Sequence, residues 1–176
     1  MTEPGSQDSA FSAIAAANNM KAIFYGGYTR LTQVTGYDKE RAIAARLDVD
    51  TGVVRWLKTY INPDNTNTEM ISAMAVNPAE DKLAMYITRM SLNEYEDVGW
   101  LLVVNTNDGG YASKLLGVNL GSGVNHSRGV VWNQGLKFDA YDRVYAAAET
   151  RDRDVQYEAH HQLVIWNYKT DLTIFK

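Results

Sequence analysis

The densest set of ionisable side chains runs from Glu149 to His161 and holds Glu149, Asp152, Asp154, Glu158, His160 and His161. Imidazole and carboxylate together could bind a divalent metal if two or three of them converged. Two facts favour a solvated loop instead. Adjacent histidines on a regular strand point to opposite faces, so His160 and His161 cannot chelate one ion from such a strand. Arg151-Asp152-Arg153-Asp154 also alternates charge, as an exposed segment does. Two further sets present oxygens. Asp48-x-Asp50-x-Gly52 and Asn105-x-Asn107-x-Gly109 have the opening spacing of a calcium loop but lack its later acidic ligand. At these places Asp, Asn and Gly serve tight turns more simply. The same weighting applies to Asp64, Asn67 and Glu69. The expected catalytic, cofactor-binding and metal residues are therefore none.

The remaining candidates are surfaces. Trp56, Trp100, Trp132 and Trp166, with eleven tyrosines, could line a sugar or ligand site, but most of the tryptophans lie in apolar runs where packing is the expected role. Asn125-His126-Ser127 is a glycosylation sequon, which matters only if the chain is secreted, so a glycan at Asn125 is conditional. Nucleophile-elbow, P-loop, HExxH and GxGxxG patterns are absent from the sequence. There is no cysteine, which removes disulfide and thiolate chemistry. A net charge of -4 argues against a general nucleic-acid or anionic-membrane surface. No run reaches the roughly 20 apolar residues of a membrane helix. The start, MTEPGSQDSA, lacks the basic and apolar regions of a secretory signal and reads as a polar tail over residues 1–10. The compartment is left open.

The elements that would position any of these groups are short strands. Ile71 to Val118 splits into ISAMAV, DKLAMYITRM, GWLLVVN and GYASKLLGV, with turns and a polar loop between. Its neighbours resemble it. Ser12-Ala13-Ile14-Ala15 matches Ser72-Ala73-Met74-Ala75, which outweighs the helix propensity of FSAIAAA. Lys21, Lys82 and Arg143 each open an apolar run and stand 61 residues apart, so the chain is expected to be an internal repeat. The Asp-Thr-Gly turn at 50–52 and the Asn-Asp-Gly-Gly turn at 107–110 sit between strands rich in Val, Leu and Trp, which gives antiparallel hairpins. The expected fold is all-β: a single repeat domain over 11–176, with four-stranded units at about 11–61, 70–118 and 130–176.

Three such units resemble β-propeller blades. The segment Ala45 to Trp56, ARLDVDTGVVRW, is similar to the strand-turn-strand of quinoprotein-like repeats; the second unit has Tyr111 and Lys114 where the tryptophan would stand. Three blades are fewer than the usual four to eight, so the resemblance implies a partial or oligomer-completed propeller. The expectation is a non-enzymatic interaction or structural module that self-associates or completes a larger propeller, with no cofactor, no nucleic-acid partner and no membrane insertion. The alternative is a fragment of a quinoprotein-like cofactor- or ligand-binding enzyme. The middle unit should be the best shielded, and the outer faces of the first and third the informative surfaces.

Overall fold

A computed structural model describes residues 6–31, 39–61, 68–90, 100–116, 135–153 and 159–171. They form three antiparallel sheets. The first is β1 (Ser6–Ala16), β2 (Ala22–Leu31), β3 (Lys39–Asp48) and β4 (Val54–Tyr60); the second is β5 (Thr68–Val76), β6 (Lys82–Met90), β7 (Trp100–Asn105) and β8 (Tyr111–Leu116). The third is β9 (Leu136–Phe138), β10 (Val144–Arg153) and β11 (Ala159–Tyr168). Strands pair in chain order throughout, which makes each sheet a meander of hairpins. The all-β expectation holds. A fourth strand for the third unit falls on 172–176, outside the described residues.

Two boundaries differ from the sequence expectation. β1 begins at Ser6, so residues 6–10 are not tail: Ala10 pairs with Tyr28 and Ser9 with Thr29, and the two hydroxyls of Ser9 and Thr29 are hydrogen-bonded. The repeat is also not spaced evenly at 61. The residue with positive φ in each first turn is Met20, Glu80 and Asp142, giving steps of 60 and then 62. Lys21 therefore matches Asp81, and Lys82 matches Ala22. The third turn closes through Asp139 N–H to the Arg143 carbonyl, one residue tighter than Ala17 to Ala22 and Asn77 to Lys82. The Ser12/Ser72 match, at 60, is the structural one: each serine is the extra residue of a bulge, between Phe11 and Ala13 and between Ile71 and Ala73.

Alternation along these strands gives each sheet two faces. On the first sheet Ala13, Phe24, Ala44, Trp56 and Tyr60 point one way and pack against Ile71, Met74, Leu83, Met85, Trp100 and Leu102 of the second sheet. The second sheet turns its other face, Ala73, Ala84, Tyr86, Leu101 and Val103, onto Leu136, Val144, Ala146 and Tyr168 of the third. Side chains at the first junction alternate in size. Gly26 leaves room for Ile71 and Met74, and a methyl group there would come within 2.6 Å of both. The middle sheet is thus covered on both sides. The tyrosine hydroxyl of Tyr86, sealed in the second junction, has its pKa raised by burial and then by Tyr168.

Candidate functional site

The junction between the first two sheets shows how a hairpin of one sheet receives side chains of its neighbour. At the first junction the hairpin after β7 is the receiving element. Asn105 N–H bonds the Gly110 carbonyl and Gly109 N–H bonds the Asn105 carbonyl, with Gly109 at φ 66. Glycine takes that conformation without a Cβ clash. Trp56 of β4 lies over this hairpin. Its indole Nε1–H donates to the Thr106 carbonyl at 2.8 Å, and Tyr60 donates its hydroxyl to the Gly109 carbonyl at 2.9 Å. Arg46 of β3 adds bonds from Nη1 to the Thr106 carbonyl and to Asn107 Oδ1, both at 3.0 Å. Buried backbone carbonyls are thereby satisfied by side chains of the preceding sheet.

The hairpin after β3 has the same backbone. Asp48 N–H bonds the Val53 carbonyl, Gly52 N–H bonds the Asp48 carbonyl, and Gly52 has φ 67. Val49 N–H reaches back to the Lys21 carbonyl just as Thr106 N–H reaches Asp81. Among the described residues nothing covers it in the same way. A methyl group on Gly109 would come within 3.1 Å of the Trp56 ring and the Tyr60 hydroxyl; on Gly52 it would meet nothing within 4 Å. Val49 and Val53 are exposed beside it. On the adjoining sheet face, Phe11 is 41% and Ile14 51% exposed, although Ile43 and Ala45 deeper on that face are buried. Phe11 and Tyr25 hold each other there with ring centroids 5.6 Å apart.

The first turns of the three sheets carry a second set of contacts. Asn19 donates from its backbone N–H to Glu80 Oε1 at 2.7 Å and from Nδ2 to Glu80 Oε2. Asn77, fully buried, donates from Nδ2 to Asp142 Oδ1 at 3.0 Å and to Asp81 Oδ1 at 2.7 Å. The carboxylates of Glu80 and Asp142 thus receive the preceding unit. The matching residue of the first sheet is Met20, which is 62% exposed and has no carboxylate to offer. At the far end of the stack, Tyr141 is 80% exposed, with the Arg143 guanidinium 5.2 Å from its ring centroid. Ile165 is exposed on the face of the third sheet that points away from the second.

The turn carboxylates are tuned by these local bonds. Asp48 is held below the usual carboxylate range by its hydrogen bond from Arg55, which lies 2.6 Å away. Asn77 and then Lys82 do the same for Asp81. For Asp139, burial would raise the value, but the N–H groups of Arg143 and Tyr141 and the Arg143 guanidinium together bring it down.

The residues singled out for chemistry are scattered. In β10–β11, Asp152 pairs with His160, Arg151 with His161 and Glu149 with Leu163 in the ladder. Asp154 and Glu158 lie outside the described residues, as do Asp64, Asn67, the sequon at Asn125 and Trp132. Among the described residues no three His, Asp or Glu groups gather as a metal site would require. Asp48 and Gly52, and likewise Asn105 and Gly109, are hairpin residues. Glu69 is buried within β5, and the nearby buried Arg41, whose pKa is lowered by burial, feels its charge. Trp56 and Trp100 are core between the first two sheets. In the ladder Ser113, rather than Tyr111 or Lys114, holds the place of Trp56: it pairs with Val103 as Trp56 pairs with Arg46.

Sequence reasoning missed Met20 and Tyr141. The signal available was the turn itself, where Asn19 is replaced by Tyr141 and Glu80 by Met20 once the steps of 60 and 62 are applied.

No protein-family model matches the chain. No curated protein matches it either. Among solved structures it is similar to the β-propeller domain of the Trilobed protease from Pyrococcus furiosus, described as having an open velcro topology. The identity is 10% and the TM-score 0.27, over 93% of this chain and 56% of that one. The chain thus spans little more than half the length of that structure. It is an all-β protein of stacked antiparallel units with a distant likeness to a β-propeller domain.

Proposed function

We propose that this chain is a non-enzymatic interaction module of propeller type that works by self-association. The observation that carries the proposal is the bare hairpin at 48–53. It repeats the backbone of the hairpin at 105–110, which is capped by Trp56 and Tyr60, yet a methyl group at Gly52 would meet none of the described residues within 4 Å. Phe11, Ile14, Val49 and Val53 are exposed at the same end, and covering them by a further unit would be favourable, as in repeat proteins. Among the described residues, Asp48, Asp81 and Asp139 serve turns, and Glu80 and Asp142 serve sheet junctions.

The quinoprotein-like alternative rests on Ala45 to Trp56. In this segment Asp48 is engaged by Arg55 and Trp56 by the Thr106 carbonyl, so both are spent on packing rather than offered to a ligand. Size-exclusion chromatography with light scattering tests the proposal. A mass that is a multiple of 19.7 kDa and rises with concentration is expected. A stable 19.7 kDa particle at every concentration would reject it.

A further inference from the structure

We draw no further inference here: the strongest candidate, the exposed apolar patch on the first sheet around Phe11, Ile14, Val49 and Val53, carries nothing beyond the self-association already proposed, because nothing among the described residues shows what covers it.

Discussion

The hairpins at 48–53 and 105–110 have one backbone and two environments. Each is closed by the same pair of hydrogen bonds, and each has its glycine at the same positive φ. One carries an indole and a phenol on its carbonyls, and among the described residues the other carries nothing comparable. Turn conformation is therefore fixed locally, by Asp or Asn at the first position and Gly at the fifth, whatever sits above. The cap on the second hairpin is supplied by the preceding sheet, and among the described residues no side chain caps the first hairpin in that way.

The comparison can be broken most severely at Trp56. Trp56→Ala should destabilise the chain by about 3–5 kcal/mol, because it empties a buried site and leaves Arg46 as the remaining side-chain donor to the Thr106 carbonyl. Trp56→Phe should recover most of this and leave about 1 kcal/mol for the lost hydrogen bond. Urea unfolding followed by circular dichroism measures both. No loss for the alanine variant would mean that the cap is not part of the stable core.

A more pointed test makes one substitution in both hairpins. Gly52→Ala should cost about 1–2 kcal/mol, the price of a left-handed backbone for a residue with a Cβ. Gly109→Ala should cost a further 1–3 kcal/mol or so, because its methyl group also crowds Trp56 and Tyr60. Equal losses at the two sites would remove the distinction between them. Asn77 comes next. Replacing it by alanine strips Asp81 and Asp142 of a shared donor at a buried site, for about 1–3 kcal/mol. Asn19→Ala, at the exposed end, should cost less.

The smallest effect expected is that of acid. Asp48, Asp81 and Asp139 are all lowered in the folded chain, so their contributions are complete above the ordinary carboxylate pKa of about 4. They are lost as pH falls through the lowered folded values. Stability at pH 2 to 7 should therefore fall on the acid side, and Asp139→Asn should flatten part of that slope. An unchanged slope in the variant would show that Asp139 does not contribute.

Much of this architecture was legible in the chain. Alternation and Gly-bearing turns carry period-2 strands and hairpins directly, and the Ser12 and Ser72 segments align because the same bulge must be built in both sheets. The spacing of Lys21, Lys82 and Arg143 is right for its second step, since Lys82 and Arg143 each give the carbonyl that closes the first turn, but in the first sheet that residue is Ala22 and not Lys21. The tail assignment failed for a related reason: Ser6 to Ala10 is polar enough for a tail, yet an outer strand needs only backbone pairing with β2. The candidate surface was the least legible part. Met20 and Tyr141 are unremarkable in sequence, and only the folded turns show them exposed.

Hydroxyl-radical footprinting across a concentration series addresses the exposed end of the first sheet most directly, because it reads side-chain exposure residue by residue. The account predicts that oxidation of Phe11 and Met20 falls together as concentration rises, while Met74 and Met85, already sealed between the first two sheets, stay unreactive throughout. Undiminished oxidation of Phe11 and Met20 in a sample that has associated would contradict it.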